Sequence, residues 1–465
     1  MRRAWTLPLL LLAGAAWAAE PPARPNIILV SIDSLRADHP GCYGGRRGIS
    51  PSLDALARSA ALFENHVSPS AWTMPSHMSL LTSRYPSFHG LTLHPRRGSL
   101  SGWLGSALDR VRDAWLRLRG EPPSPEPGVL GDRLRPGVRT LPEALRAAGY
   151  RTAAVVASQN LKAVFGFARG CDLFVENPER TPASEQNARA LNWIAERPER
   201  PFFLFLHYND LHHTLNAGEE TPPGTLPYDC PGPDQRRYLP PLPEGFSPRL
   251  TPGNLNPSGD AALSRAEREW IKGLYAGCVR RVDSDLGELL DALRRQGLYE
   301  DTLLAVTADH GEEFWDHGRW GHGRSLRQEL IRVPLWVKLP GQRQGRRVRT
   351  LTSGVDLMPT LLKAAGGGSA RLDAQMQGLP LQPLLEGRSL ARTAVYAERD
   401  FPRSDRAALT SDGWKLLLQF DPRRRALFDL RRDPKERADL ASRAPGKLAE
   451  LEELLLDCYS APPEH

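Results

Sequence analysis

Asn26-Ile27-Ile28-Leu29-Val30-Ser31-Ile32-Asp33 is a run of apolar, largely branched residues that stops at a carboxylate. Far downstream, Leu303-Leu304-Ala305-Val306-Thr307-Ala308-Asp309-His310-Gly311 does the same and adds an imidazole. Short apolar runs that end in ligand-type side chains suit the carboxyl edge of a parallel sheet, where α/β enzymes place their chemistry. Between them lies AWTMPSHMSLLTSR, from Ala71 to Arg84. Pro75 suits the first turn of a helix through Met78 and Leu81, since its missing N–H would be unpaired there anyway. Thr73 then falls just before a helix N-terminus, where free backbone N–H groups and the dipole favour an anion. Thr is also a common plain N-cap; the distant Asp33 and Asp309-His310 favour catalysis instead. Asp33, Asp309, His310 and Thr73 together suit one divalent cation, either Ca, Mg, Mn or Zn, with His310 tilting toward Mn or Zn. Contact with that cation supplies the lowered pKa that a hydroxyl nucleophile lacks.

The chain of 465 residues exceeds the usual limit of one core. Met1-Arg2-Arg3, the apolar Leu7 to Leu12 and the small residues around Ala16-Trp17-Ala18 read as a secretory signal peptide over 1–19, hence a secreted or periplasmic protein. No other run approaches the roughly 20 apolar residues of a membrane span. Five cysteines, Cys42, Cys171, Cys230, Cys278 and Cys458, lack a C-x-x-C pair, which argues against a cysteine metal site. Their odd number leaves one unpaired, and the pairing stays open. Lys and Arg number 61 against 54 Asp and Glu, and the excess is scattered in pieces such as Arg346-Arg347. No basic block is long enough for a nucleic-acid arm, so no nucleic-acid partner is expected.

Along the chain the pattern predicts helices over Ser52–Ser59, Thr140–Tyr150, Ser264–Gln296 and Pro445–Leu455. Strands are expected over Thr152–Ala157, Phe202–Leu206, Ala394–Ala397 and Lys415–Gln419. Residues 101–119, within an insert of about 96–135, carry apolar side chains at helical spacing and read as a packed amphipathic helix. Residues 215–261, rich in Pro and Gly, read as a long loop.

These residues resemble the sulfatase family of the alkaline-phosphatase-like superfamily, from about Pro25 to about Leu440. In that family Cys or Ser, any residue, Pro, Ser and Arg lead into Leu-Leu-Thr-Gly-Arg. Thr73, Met74, Pro75, Ser76 and His77 stand in the first five places, and Leu80-Leu81-Thr82-Ser83-Arg84 in the second group. The family's paired metal-binding aspartates fall on Asp33 and Ser34, so one is missing; its later metal pair falls on Asp309 and His310. Gly321-His322-Gly323 lies where the family has a substrate-binding Lys, and PFFLFLHYNDLH, from Pro201 to His212, looks like its strand ending in a substrate-facing His. Val355-Asp356-Leu357-Met358-Pro359-Thr360 and Leu427 through Pro434 resemble its C-terminal landmarks. The resemblance implies a large mixed, mostly parallel sheet flanked by helices over 24–380, with a smaller C-terminal α+β lobe over 381–465. It also implies that His77, Arg84, His212 and His322 bind substrate, the last two also serving catalysis.

Family sulfatases convert their Cys or Ser to formylglycine, whose hydrate expels sulfate. Threonine is not that precursor, so Thr73 is expected unmodified. A phosphorylated threonine is an ordinary covalent intermediate, whereas a sulfated one must wait for water to attack sulfur. The expectation is a metal-dependent hydrolase of a sulfate or a phosphate/phosphonate ester on a small molecule or glycan. A phospho-group transferase and a non-catalytic glycan binder are the alternatives. His213 and His317 read as bystanders. A second metal on Asp210, His212 and His322 is set aside because their spacing does not fit a two-metal set.

Overall fold

The structure, a computed structural model, describes residues 24–92, 133–196, 201–214, 225–230, 232, 237–243, 263–400, 404–420 and 422–460. The signal-peptide segment, the 101–119 stretch and most of 215–261 lie outside the described residues.

Strand β1 (Asn26–Ile32) is buried from Ile27 onward. Side chains alternate faces along a strand, and here both faces are covered. Ile28, Val30 and Ile32 enter one apolar cluster, while Ile27 and Leu29 enter another. That is why the run is continuously apolar rather than alternating. The other strands of its sheet are β2 (Ala61–Val67), β3 (Arg151–Val156), β4 (Leu173–Glu176), β5 (Phe202–Tyr208) and β6 (Thr302–Thr307). After the hairpin of β7 (Glu313–Phe314) and β8 (Trp320–Gly321) come β9 (Arg332–Lys338), β10 (Arg346–Val348) and β11 (Thr352–Ser353). The sheet order is β10-β2-β9-β6-β1-β5-β3-β4, with β11 on β2. From β6 to β4 all neighbours are parallel. β9 runs antiparallel to both β2 and β6, so the sheet is mixed but mostly parallel.

Helices cover both faces. They are α1 (Pro51–Ala57), α2 (Thr73–Thr82), α3 (Leu141–Ala147), α4 (Ala183–Ala195), α5 (Arg265–Arg295) and α6 (Leu357–Ala364). Leu274, Leu286 and Leu293 of α5 join Ile28 and Val30, whereas Met78, Leu145 and Leu361 join Ile27 and Leu29. A capping box at Ser264 and Glu267 starts α5 at the residue the sequence suggests.

A second, antiparallel sheet follows: β12 (Ala394–Arg399), β13 (Asp405–Thr410), β14 (Trp414–Phe420) and β15 (Arg423–Asp429). Its Ala408, Leu416 and Leu427 pack on Leu451 and Leu455 of helix α7 (Pro445–Ser460). Val395, Ala397 and Leu409 share a cluster with Val67, Ala71 and Leu330 of the main body. The buried Lys415–Glu436 pair (2.6 Å) adds to this seam, because Lys415 Nζ also donates to Leu326 O.

Candidate active site

Register puts Ser31 of β1 between His207 of β5 and Thr307 of β6. The carboxyl ends of three adjacent parallel strands therefore deliver Asp33, His207 and Asp309 to one place. Just past β1 the chain turns through a left-handed Ser34 (φ 59°). The turn aims the Ser34 N–H at Asp309 Oδ1 (3.1 Å), and its hydroxyl donates to Asp33 Oδ1 (2.8 Å). Where the family pattern has a second aspartate, Ser34 thus braces the two acids that remain.

Helix α2 arrives from the opposite side. Ser76 Oγ donates to the Asp309 carbonyl at 2.6 Å and Ser68 also bonds it, tying the helix to the end of β6. Thr73 is the first helical residue, with Trp72 as the cap, one position further in than the sequence suggests. Its hydroxyl donates to Asp33 Oδ2 (3.3 Å) and lies 3.4 Å from His310 Nε2.

Nearly every group here is buried: Thr73 is 1% exposed, and Asp33, Asp309 and His310 are 0%. His310 Nδ1 donates to Gly311 O (2.9 Å), so the neutral ring carries its lone pair on Nε2, facing the carboxylates. Burial, with His322 beside it, holds this imidazole down to about 3. Burial and the Asp33 charge push Asp309 well above the carboxylate range. Burial also acts to raise Asp33, but the His207 hydrogen bond and the surrounding imidazoles outweigh it and hold Asp33 low. Two facing carboxylates in so dry a place do not both ionise without a cation. Asp309 Oδ2 is buried without a hydrogen bond, 3.3 Å from His310 Nε2. An orphaned carboxylate oxygen, a second carboxylate and an imidazole lone pair fit a divalent cation, and donor atoms of Asp33, Asp309 and His310 lie within 4.8 Å of one another.

The remaining residues sort clearly. His77 is fully buried; Nδ1 donates to Thr73 O (2.8 Å) and Nε2 accepts from Ser31 Oγ (2.8 Å). Burial first, then neighbouring His207, keeps it neutral. Both nitrogens are spent inside the protein, so the structure turns His77 toward the helix backbone and Asp309 (3.5 Å) rather than toward a substrate. Arg84 lies beyond the far end of α2, roughly 15 Å of helix from Thr73, with Arg135 as its charged neighbour. The structure does not bring it to the site.

His322 does arrive. Hairpin register pairs Glu313 with Gly321, which sets Glu312 opposite His322, and their side chains meet at 3.0 Å. Gly321 and Gly323 both adopt positive φ (94° and 76°), conformations that cost glycine little. The Gly323 N–H bonds Ala71 O (3.0 Å), docking the loop just ahead of Thr73. The ring of His322 lies 4.3 Å from His310 and 5.0 Å from His212. His213, expected as a bystander, lies 4.6 Å from His212 and 5.1 Å from His322. His317 instead pairs with Glu329 (2.6 Å), its other nitrogen meeting Lys435 O (3.1 Å).

Sequence reasoning missed His207 and Glu312. His207 Nε2 lies 3.3 Å from Asp33 Oδ2, and it ends an apolar strand just as Asp33 and Asp309 do, so the same rule would have found it. Buried Glu312, pushed up to about 8 by burial, gives no such signal; only the hairpin reveals it.

Residues 25–367 match the family described as Sulfatase, and residues 315–455 match N-sulphoglucosamine sulphohydrolase, C-terminal. Among curated relatives, the multifunctional alkaline phosphatase superfamily protein PehA of Trinickia caryophylli is 27% identical, covering 90% of this chain and 91% of its own. The arylsulfatase of Clostridium perfringens is 24% identical, with 90% of each chain covered. Among solved structures, the phosphonate monoester hydrolase of Agrobacterium radiobacter superposes with a TM-score of 0.69 at 20% identity, covering 94% of this chain and 96% of that one. The strand-end acids, the helix that presents Thr73 and the second sheet all fall within the matched span, and the chain belongs to the sulfatase family.

Proposed function

We propose that the chain is a metal-dependent hydrolase of anionic esters in which unmodified Thr73 is the nucleophile. The observation that carries this reading is the Thr73 hydroxyl, held 3.3 Å from Asp33 and 3.4 Å from His310 at a helix N-terminus. A divalent cation held by Asp33, Asp309 and His310 supplies Lewis acidity, lowering the hydroxyl pKa and neutralising the ester. Asp33 already accepts the Thr73 hydrogen bond and is the nearest acceptor for its proton. Thr73 Oγ1 then bonds to phosphorus or sulfur while the ester oxygen leaves. His322, 4.3 Å from His310, and His212, 5.0 Å from His322, bind the anion's oxygens or protonate the leaving oxygen. Water attacking the adduct restores the hydroxyl and releases the inorganic acid or phosphonate.

Phosphorus suits a threonine better than sulfur does. Formylglycine expels sulfate from its own hydrate, but Thr73 has no second hydroxyl and depends on water for that step. Relatives named as arylsulfatases and a neighbour named as a phosphonate monoester hydrolase support an anionic ester of either element. A neighbour solved with D-glucosamine-2-N,6-O-disulfate supports a small-molecule or glycan substrate. The N-terminal signal pattern and the Cys230–Cys278 disulfide support a place outside the cytoplasm. Among the described residues no helix is long and apolar enough to cross a membrane. We assign 24–380 to the catalytic unit and 381–465 to a C-terminal subdomain.

The test is a panel of matched p-nitrophenyl sulfate, phosphate, phosphodiester and phosphonate esters with Ca, Mg, Mn and Zn. Phosphorus esters should turn over faster than the sulfate. A parent that cleaves sulfate alone would sink the mechanism.

A further inference from the structure

A second group of three imidazoles adjoins the first set of ligands. His212, His213 and His322 can each offer a nitrogen, and the three nitrogens lie within 4.8 Å of one another. No carboxylate belongs to this triple, unlike Asp33, Asp309 and His310. A tetrahedral zinc with bonds of ~2.1 Å holds its donors about 3.4 Å apart, so the three nitrogens, within 4.8 Å of one another, would draw together to hold one.

The rings are also oriented from behind. Glu312 Oε1 lies 3.0 Å from His322 Nδ1, and this carboxylate is fully buried. A carboxyl group held against Nδ1 orients the ring and leaves Nε2 to face a ligand, the usual outer partner of a metal-binding histidine. His212 Nδ1 donates to the His213 carbonyl at 2.9 Å, which places its lone pair on Nε2. Arg36 anchors the turn that carries Glu312, donating to Glu312 O (2.9 Å) and pairing with Asp316 (2.7 Å). Asp210, the other acid nearby, faces away: it accepts from Ala183 N at 3.2 Å. The donor that completes the set is therefore His213.

We propose that His212, His213 and His322 hold a second divalent cation, of the zinc class, beside the Asp33–Asp309–His310 site. An all-imidazole set selects zinc-like ions over calcium or magnesium, which demand oxygen donors. Three protein ligands leave a fourth position open, the pattern of a catalytic rather than a structural site. With His310 and His322 only 4.3 Å apart by ring centroid, the two sites adjoin. The consequence for catalysis rests on the hydrolase reading above: a cation held there would neutralise the ester's oxygens, and His212 and His322 would bind the anion through it instead of protonating the leaving oxygen. The binding itself does not depend on that reading.

The experiment strips the full-length protein with a chelator and titrates it with Zn2+ alone, counting equivalents by calorimetry and elemental analysis. The parent should bind two equivalents. His213→Ala and His322→Ala should each lose one, Asp309→Asn should lose the other, and His213→Gln guards against a folding artefact, with circular dichroism as the control. Co2+ in the parent but not in His213→Ala should give the intense visible bands of a tetrahedral site. One equivalent in the parent, or two retained in both histidine variants, overturns the proposal. So does binding of inorganic phosphate, instead of metal, that is lost in those variants. Two equivalents without cleavage of any ester would leave this site standing and remove the hydrolase reading; ester cleavage with one equivalent would do the reverse.

Discussion

On the proposed mechanism Thr73 acts by position: the hydroxyl meets a carboxylate and an imidazole lone pair at the first turn of a helix. Thr73→Ala should cut turnover by about 10^4-fold or more, the scale seen when a nucleophile is removed, whereas Thr73→Ser keeps the hydroxyl and should retain part of the rate. Peptide mass mapping should show residue 73 as plain threonine, and a mass change there would defeat the phospho-enzyme argument. Asp309→Asn removes one carboxylate from the pair proposed to hold the cation. It should abolish that site's metal binding and nearly all activity while circular dichroism stays unchanged; full occupancy in the variant would dismiss the ligand set. The convergence of Asp33, Asp309 and His310 was legible because Asp33 and Asp309-His310 follow apolar strands and so project from a sheet edge. The approach of His213 to His212 and His322 was not, because two successive residues reach one cluster only where the chain leaves extended geometry, as it does at Leu211–Thr214.

Elements were legible where local signals decide them. The capping box of α5 and the proline that opens α1 mark their starts in the sequence itself. Strand direction carries no such mark: β9 reads as the same apolar run whether parallel or antiparallel, and only its neighbours settle it. The junction of β2 and β11 carries a pH dependence. His66 of β2 is fully buried with Nδ1 3.0 Å from Thr352 Oγ1, and burial, then nearby Arg392, holds it down to about 3. An unfolded histidine titrates near ~6.5. Below that pH the unfolded chain takes up a proton that the folded one refuses. Stability is therefore lost as pH falls from about 6.5 toward 3, at up to about 1.4 kcal/mol per pH unit. His66→Gln keeps a hydrogen-bonding group and removes this contribution. Its urea midpoint should drop less than the parent's on acidification below neutrality, and parallel curves would mean that the folded imidazole is already charged.

Across the whole molecule, one covalent link joins the loop beside His212 and His213 to the longest helix among the described residues. Cys230 bonds Cys278 of α5, and Cys42, Cys171 and Cys458 remain thiols, a pairing that an odd count of five could not specify. The residues before Cys230 do more than lead up to the bond. Thr214 N donates to Pro227 O at 2.8 Å, and the Thr214 hydroxyl bonds Leu226 O, so the 225–230 segment lies along the stretch that carries His212 and His213. Anchoring Cys230 to α5 thus holds in place the stretch that carries His212 and His213. The bond closes 48 residues of chain, and on the chain-entropy account a loop of that size contributes about 4 kcal/mol. Cys230→Ser should lower the unfolding free energy by about 2–4 kcal/mol, read from urea curves under oxidising conditions. It should also lower kcat more than the same loss of stability elsewhere. A core truncation such as Leu29→Ala, in the buried strand β1, is the matched control, since it costs a comparable 2–5 kcal/mol without touching the loop. Equal kcat in the two variants, both assayed fully folded, would show that the disulfide serves stability alone. A selective fall in Cys230→Ser, reproduced when the parent is treated with reductant, would show that it positions His212 and His213 as well.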